Sequence, residues 1–358
     1  MTKLIIILSS CLLLAGCWDE VLYRDVAIVP LMGIDGGPGA IDGFYSFASI
    51  EEESITYATA EGKGISLRAS RNNAFTHTNE MLDVSQLEVA LISEKAAKHD
   101  IYNYLDVLFR APRNRLSGRL IVAKGDMKEY FDKSDMLPMS PPEFYRGLLD
   151  TSIKFSLIPD LDLQKMGTYL FDAGIDVALP AVRIAKETGF PEVFGTALFK
   201  DKVFSGHYLD RKESAILQGL QKKKNKYLQF IYIWEKDGVK YPITVEYVKS
   251  KKKWDIKDGR IDLSYKFKFS VEEFPHNHLE YEKTQIEVNE FLSKELTKDF
   301  QKVIDKLQEA ESDPIGFGQT VRAFHPEIWG KGKWHDTYVN MDIKIKVKAE
   351  IVRTGILN

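Results

Sequence analysis

The residues with the most specific chemistry lie near the start of the chain. Leu14-Ala15-Gly16-Cys17 matches the bacterial lipobox, in which a branched apolar residue and two small residues precede a cysteine. In that motif the thiol becomes a thioether to a diacylglyceryl lipid, and the small residues let a peptidase reach the backbone. Because two acyl chains give stable membrane anchoring, the motif predicts a lipid on Cys17 and signal cleavage between Gly16 and Cys17.

The segment before the lipobox supports this prediction. Lys3 provides a basic start, and an apolar run follows from Leu4 to Leu14. A basic start, a short apolar core and a small-residue exit are typical of a secretory signal peptide. The run is too short for a membrane-spanning helix, which needs about 20 apolar residues. We therefore expect residues 1–16 to be removed and the remaining chain to lie outside the cytoplasm, held at the membrane through Cys17.

Composition limits the function classes that remain. The chain has 358 residues, of which 44% are hydrophobic and 28% charged, the balance of a folded protein. The formal net charge is -3, whereas general nucleic-acid binders are usually strongly basic. The only cysteines in the sequence, Cys11 and Cys17, exclude a disulfide scaffold and a zinc ribbon. No later segment offers about 18 consecutive apolar residues, so we expect a tethered body rather than an integral membrane protein.

Common catalytic motifs are absent from the sequence, including H-E-x-x-H, G-x-S-x-G and the P-loop. Gly62-Lys63-Gly64 is interpreted as a loop rather than a phosphate site, and His276-Asn277-His278 as a polar turn rather than a metal pair. Asp160 and Asp162 beside a proline are interpreted as turn residues rather than as an acid/base pair. The sequence therefore predicts a protein that is not an enzyme, with no catalytic residue, no metal ligand and no cofactor except the lipid on Cys17.

Two lysine-rich segments leave alternatives open. Lys249 and Lys251–Lys253 are the densest basic patch, and they fit anionic lipid headgroups, nucleic acid, or a solvated hairpin turn, of which we favour the turn. In the last strand, every second residue over one stretch is a lysine. These lysines either deter edge-to-edge pairing or cover a partner, and the sequence does not decide between the two; they are Lys344, Lys346 and Lys348.

The elements expected to position these residues follow from hydrophobic periodicity. Short strands alternate with helices through the first half, which indicates a mixed α/β unit. Apolar residues at helical spacing predict a long helix over about residues 284–310, and Asp313 is a candidate cap for a second helix starting at Pro314. Strict alternation over Met341–Ile351 predicts a final strand. We expect an α+β or mixed α/β multi-domain lipoprotein, with mixed and antiparallel sheets flanked by helices and a long C-terminal helix followed by a final strand.

Breaks rich in proline and glycine suggest the domain borders. We predict a cleaved signal peptide over 1–16 and an N-terminal α/β domain over 17–185. A strand-rich middle domain over 186–275 and a helix-strand domain over 276–358 follow. An alternative is that the last two domains share one sheet.

Short motifs occur in a fixed order from the lipobox to the end of the chain. They are Cys17-Trp18-Asp19, Gly33-Ile34-Asp35, Phe109-Arg110-Ala111-Pro112, Gly195-Thr196-Ala197-Leu198-Phe199-Lys200-Asp201, Asp313-Pro314-Ile315-Gly316-Phe317-Gly318, His325-Pro326-Glu327-Ile328-Trp329 and Val352-Arg353-Thr354-Gly355. Their order resembles the Ger(x)C family, the lipoprotein C subunits of bacterial spore germinant receptors. The resemblance covers nearly the whole mature chain.

The resemblance implies a nutrient-sensing role without catalysis. It implies a C subunit that assembles with integral membrane A- and B-type receptor subunits to trigger spore germination. The location it implies is the spore inner membrane, on the extracytoplasmic face. It supplies no ligand-binding residue and no site residue beyond Cys17.

Three other functions remain open at this point. The first is an extracytoplasmic solute-binding lipoprotein of a transporter, which predicts two lobes around a ligand crevice. The second is a secreted or cell-wall hydrolase, which needs paired carboxylates or a nucleophile in a cleft. The third is an adhesion or envelope-assembly lipoprotein of growing cells.

Overall fold

A computed structural model of the chain describes residues 25–51, 54–221, 225–257, 259–330 and 332–355. The predicted signal peptide, Gly16 and Cys17 lie outside these residues. The strands are β1 (Val26–Ile28), β2 (Leu31–Gly37), β3 (Ala40–Glu51), β4 (Ser54–Gly64), β5 (Met81–Asp83), β6 (Val89–Ser93), β7 (Arg119–Lys124), β8 (Ala178–Ile184), β9 (Pro191–Lys200), β10 (Val203–Asp210), β11 (Gln229–Lys236), β12 (Val239–Lys257), β13 (Arg260–Glu273) and β14 (Asp342–Arg353). The helices are α1 (Leu67–Ala74), α2 (Glu94–Ala97), α3 (Tyr102–Arg110), α4 (Met127–Asp132), α5 (Pro141–Lys154), α6 (Leu163–Leu170), α7 (Arg211–Gln221), α8 (Glu282–Glu309), α9 (Phe317–Phe324), α10 (Pro326–Trp329) and α11 (Trp334–Tyr338).

An eight-stranded mixed sheet organises the first half of the chain. Its order is β10-β9-β8-β7-β6-β2-β3-β4. The central strands β2, β6, β7 and β8 are parallel, and antiparallel pairs extend the sheet at both ends. β6 and β7 are apolar runs because helices cover both faces. Helices α1, α3 and α6 pack on one face, and α4 and α5 pack on the other.

A four-stranded sheet, in the order β11-β12-β13-β14, organises the second half. Its strands are antiparallel except for β13 and β14, which are parallel and joined by the helical segment α8–α11. Alternate residues of β13 and β14 are buried against α8. The apolar stripe of α8 includes Val288, Leu292, Leu296 and Phe300, all fully buried. The expected α+β class, the mixed and antiparallel sheets and the long helix followed by a final strand are thus confirmed.

Polar side chains of α8 cover the outer edge of β14. Asn289 Oδ1 accepts from the N–H of Ile351 at 2.8 Å, and Ser293 Oγ accepts from the N–H of Ala349 at 2.9 Å. The same pattern continues one and two turns later, where Thr297 and Gln301 accept from the N–H groups of Val347 and Ile345. These acceptors stand four residues apart on one helix face. The free edge of the final strand is therefore occupied by the protein's own helix.

Two local predictions are wrong. Lys249 and Lys251–Lys253 do not form a hairpin turn, because they lie inside β12 and pair with residues of β13. Lysine has a low strand propensity, but pairing with β13, whose alternate residues are buried, decides the outcome. Gly62-Lys63-Gly64 is not a loop, because it ends β4. At Gly62 a side chain would collide with the backbone of Ser70 in α1, so glycine allows close packing of the helix on the strand.

The predicted domain borders fall at identifiable places in these sheets. The border after residue 185 lies between β8 and β9, which pair antiparallel in one sheet. The border after residue 275 lies between β13 and α8, which belong to the same sheet-and-helix unit. In addition, α7 and Leu198 of β9 share a core with the four-stranded sheet. The division into domains stays a prediction.

Candidate functional site: a buried polar joint

A buried polar cluster joins the two sheets. It consists of Asp176 before β8, Asp201 in the turn between β9 and β10, Asp313 after α8, and Trp334 and His335 in α11; we call it the joint. Asp313 is fully buried and Asp176 nearly so, at 0% and 3% exposure. Buried carboxylates are costly unless hydrogen bonds satisfy them, so the donors around each one determine what the cluster does.

Asp313 accepts four N–H groups. Its Oδ1 accepts from the backbone of Gly316 at 2.9 Å and of Phe317 at 3.0 Å. Its Oδ2 accepts from the backbone of Gly318 at 2.8 Å and from Trp334 Nε1 at 3.0 Å. The carboxylate thus satisfies the first free N–H groups of α9, as the sequence predicted for a cap. The helix begins at Phe317 rather than at Pro314, because residues 314–316 form a turn that directs these N–H groups toward the Asp313 carboxylate.

Glycines make the joint possible. Gly316 has φ of +80°, a conformation that favours glycine. A side-chain carbon on Gly318 would lie 2.6 Å from Trp334 Nε1 and 2.8 Å from Gly174 Cα. Gly174 is equally constrained, since its own side-chain carbon would lie 2.7 Å from the backbone nitrogen of Gln319. The sequence Asp-Pro-Ile-Gly-Phe-Gly therefore encodes an acceptor, a left-handed turn and a close backbone approach.

Asp176 connects the first sheet to this turn. Its backbone N–H donates to the Asp313 carbonyl at 3.0 Å, and its Oδ2 accepts from the Asp313 N–H at 2.7 Å. Its Oδ1 accepts from the N–H of Asp201 at 2.8 Å, which fixes the β9–β10 turn. His335 Nε2 lies 2.9 Å from Asp176 Oδ2. One carboxylate therefore holds three segments that are far apart in sequence.

The joint binds protons more readily than the unfolded chain. Burial raises the pKa of Asp313 to about 7, and the hydrogen bonds from Gly318 and Phe317 limit the increase. Burial lowers the pKa of His335, but the hydrogen bond to Asp176 and the charge of Asp176 outweigh burial, so the pKa lies above its usual value. Both groups therefore link the stability of the joint to pH.

The arrangement suits a structural ion pair better than a metal centre. Ligand atoms of Asp176, Asp201 and His335 lie within 4.8 Å of one another, a spacing that a metal ion would accept. However, both oxygens of Asp176 already accept backbone N–H groups as well as His335. A charged pair with this many hydrogen bonds costs several kcal/mol when one partner is removed. The ion pair between Asp176 and His335 therefore stabilises the contact between the two halves of the body.

A polar cavity of about 370 Å³ lies beside the joint. Asp176, Asp160 and Lys165 line it from the first half of the chain, and Gln218 and Asn225 line it from the second. Gln218 is 1% exposed. Within the described part of the chain, Gln218 Nε2 and Asn225 Nδ2 have no hydrogen-bond partner. Two buried donors on one polar cavity fit an ordered water or a small group with acceptor atoms.

The remaining residues singled out from the sequence have structural roles. Asp162 caps α6 by accepting from the N–H of Lys165 at 2.7 Å. Asp160 forms ion pairs with Arg119 and Lys165. His276-Asn277-His278 lies in the turn between β13 and α8, in which Asn277 and His278 have positive φ.

The comparisons with known proteins match this chain over nearly its whole length. The family described as spore germination protein N-terminal domain matches residues 19–184. The family described as spore germination B3/GerAC like, C-terminal matches residues 194–355. The chain belongs to the Ger(x)C family of spore germination proteins. The residues between the two matched ranges, 185–193, comprise the connection between β8 and β9 and the start of β9.

Individual relatives agree with the Ger(x)C assignment. The chain is 24% identical to spore germination protein KC of Bacillus subtilis (strain 168), over 99% of this chain and 96% of that protein. It is 22% identical to the putative spore germination protein YfkR of the same organism, over 99% and 97% of the two chains. The crystal structure of the GerBC protein has the same fold, with a TM-score of 0.58 and 20% identity over 90% of this chain and 96% of that chain.

The Ger(x)C motif at Asp313–Gly318 coincides with the joint, but sequence reasoning found only its capping role. Asp176 and His335 were missed, because they stand 159 positions apart and belong to no chemical motif. The glycines at 316 and 318 were the available signal for a close approach. Among the helices of the described residues, none is long and apolar enough to cross a membrane.

Proposed function

We propose that this Ger(x)C protein is the lipid-anchored C subunit of a spore nutrient germinant receptor, without catalytic activity. The observation that carries the proposal is the pair of family matches, which together span residues 19–355 directly after the lipobox cysteine. The acyl group on Cys17 would hold the body on the extracytoplasmic face of the spore inner membrane. There it would assemble with integral membrane A- and B-type subunits.

The joint suggests how the body contributes to such a receptor. A tether raises the effective concentration of the body near its membrane partners without any new contact. A body whose halves move together can then respond as one unit to a change in those partners. Asp176 and Asp313 supply this rigidity, because each is buried and bonded to segments from both halves.

The solute-binding alternative differs in one testable respect. It requires two lobes around a crevice and tight binding of a small molecule by the isolated body. Among the described residues, the parallel strands with helices on both faces lie in one eight-stranded sheet, which has antiparallel pairs at both ends. The four-stranded sheet is antiparallel except for β13 and β14. The cavity beside Asp176 is the feature that a solute-binding function would use.

Germination of spores tests the proposal. In a strain without other nutrient receptors, we expect deletion of the gene to abolish germination by nutrients, and Cys17→Ala to reduce it strongly. Cys11→Ala is the matched control, since it removes the other cysteine and leaves the lipobox intact. A non-nutrient trigger checks that the spores are viable. Normal nutrient germination after deletion would contradict the proposal.

A further inference from the structure

The outer face of the four-stranded sheet carries a dense array of lysines. The face consists of fifteen outward-pointing positions, five on each of β12, β13 and β14, aligned in rows by the strand register. We call it the lysine face; its residues are Lys249, Lys251, Lys253, Asp255, Lys257, Arg260, Asp262, Ser264, Lys266, Lys268, Asp342, Lys344, Lys346, Lys348 and Glu350. All are exposed except Lys268 and Glu350, which are partly buried.

The charge of this face is opposite to that of the whole chain. It holds ten basic and four acidic side chains, a net charge of +6. Because the chain carries -3 in total, the residues outside the face carry a net charge of -9. The positive charge is therefore concentrated on one side of a molecule that is otherwise acidic.

The acidic residues of the face are already paired within it. Glu350 contacts Lys266 and Lys268 at 2.6 and 2.9 Å, and the three aspartates pair with Lys257, Arg260 and Lys344. Five lysines form no ion pair with any described residue. They are Lys249, Lys251, Lys253, Lys346 and Lys348. These five ammonium groups leave a strong positive potential available to a partner.

Protection against edge pairing does not explain the lysines of β13 and β14, whereas Lys249, Lys251 and Lys253 lie on a stretch of β12 beyond its pairing with β11. Lysines on an edge strand commonly prevent pairing with another chain. The edge of β14 is already occupied by α8 side chains, which accept from Ile345 and Val347 N–H groups. Lys266 and Lys268 lie on β13, which is a central strand. For Lys344, Lys346 and Lys348, the second alternative left open by the sequence, a partner that the lysines cover, therefore fits the structure better.

The composition of the face indicates the chemistry of that partner. Protein interfaces are enriched in aromatic residues and arginine and depleted in lysine. The lysine face has no aromatic residue among its fifteen positions and one arginine, Arg260. Neighbouring charges are about 5 Å apart across strands and about 7 Å apart along them. A flat array of hydrated point charges at this spacing is suited to a surface of anionic headgroups.

We propose that the lysine face lies against the anionic lipid surface of the membrane and orients the body on it. This inference rests on the proposed function for the presence of a membrane, since the anchor on Cys17 is part of that function. The anchor limits distance but not orientation. Each lysine near an anionic surface favours the docked orientation about fivefold, and the acidic remainder of the body is repelled from the same surface.

Amine footprinting of the full acylated protein tests this orientation. The processed chain is reconstituted through its anchor into vesicles of phosphatidylglycerol or of phosphatidylcholine, and lysine acetylation rates are read by mass spectrometry. We expect the five unpaired lysines to react at least fivefold more slowly on phosphatidylglycerol. The difference should vanish near 1 M salt, where the Debye length falls to about 3 Å. Three exposed lysines on α8, on the other side of the sheet, should react equally on both vesicles; they are Lys294, Lys298 and Lys302.

Matched variants separate charge from other causes. The triple variant K251Q/K346Q/K348Q should weaken the docked orientation about a hundredfold, so that the protection of Lys249 and Lys253 falls. The control K294Q/K298Q/K302Q removes the same charge from α8 and should leave protection intact. Circular dichroism shows whether each variant is folded.

The possible results distinguish the two proposals. Equal acetylation rates on the two kinds of vesicle would overturn the lipid assignment, as would protection seen only when another protein is bound. The mass of the N-terminal peptide reports the lipid on Cys17 separately. A missing lipid contradicts the anchor in the proposed function, whereas selective protection on phosphatidylglycerol vesicles would still support the lysine face.

Discussion

Replacing Gly318 by alanine is the sharpest test of the joint. Gly318 faces Gly174 across the approach of the two halves, and an added carbon would lie 2.6 Å from Trp334 Nε1 and 2.8 Å from Gly174 Cα. Real side-chain carbons do not approach other atoms this closely, so the indole or the backbone must move. Movement of the indole breaks its hydrogen bond to Asp313.

The expected cost follows from two contributions. Overpacking at a tightly packed site costs about 1–3 kcal/mol. Loss of a hydrogen bond to a charged group costs about 1.5–3 kcal/mol. Alanine has a higher helix propensity than glycine, which offsets about 1 kcal/mol of this loss. We therefore expect the free energy of unfolding to fall by about 1.5–5 kcal/mol.

Gly147→Ala is the matched control. Gly147 lies on an exposed face of α5, and an added carbon there meets nothing within 4 Å. The same substitution should therefore stabilise the protein by about 0.5–1 kcal/mol. Urea titration followed by far-ultraviolet circular dichroism measures both variants. If Gly318→Ala is as stable as Gly147→Ala, the inferred close approach of Gly318 to Gly174 and Trp334 is contradicted.

Three further changes test individual contacts. His335→Gln should lower the free energy of unfolding more at about pH 6 than at about pH 8.5. The pKa of His335 is raised in the folded protein, so its protonated form stabilises the fold below the unfolded pKa of about 6.5, and this stabilisation is lost at higher pH. Equal losses in urea titrations at both pH values would contradict the ion pair with Asp176. Gln218→Met should change the free energy of unfolding by less than about 1 kcal/mol, since Gln218 Nε2 has no hydrogen-bond partner among the described residues. A larger loss in the same titration would mean that the cavity holds a group hydrogen-bonded to Gln218. Tyr45→Phe should cost about 1–3 kcal/mol, because it leaves the buried Ser70 hydroxyl without its 2.7 Å partner; a neutral result in thermal and urea unfolding would refute that contact.

The sequence predicted the elements whose periodicity is strong. The alternation over Met341–Ile351 and the apolar stripe of the long helix each bury one face, so the residue pattern alone determines their type. Lys249–Lys253 was misassigned, because five polar residues in a row carry no periodicity. Their place in a strand is set by pairing with β13, a segment downstream. Local pattern therefore failed where tertiary pairing decided the structure.

The joint was predictable only in part. Asp313 was recognised as a cap, because capping depends on residues three to five positions away. Asp176 could not be linked to Asp313 or to His335, because the contacts close loops of more than 130 residues. Nothing local in the sequence marks the residues at both ends of such a contact. The lipid site at Cys17 followed from sequence alone and stays a prediction, since it lies outside the described residues.

The most direct test of the central claim is a pull-down from the membranes of dormant spores, with wild-type protein compared with Cys17→Ala. The account predicts that the wild-type protein recovers two integral membrane proteins from the inner membrane and that the variant loses them. Recovery of a transporter from growing cells, or of the protein alone from dormant spores, would contradict the assignment as a receptor subunit.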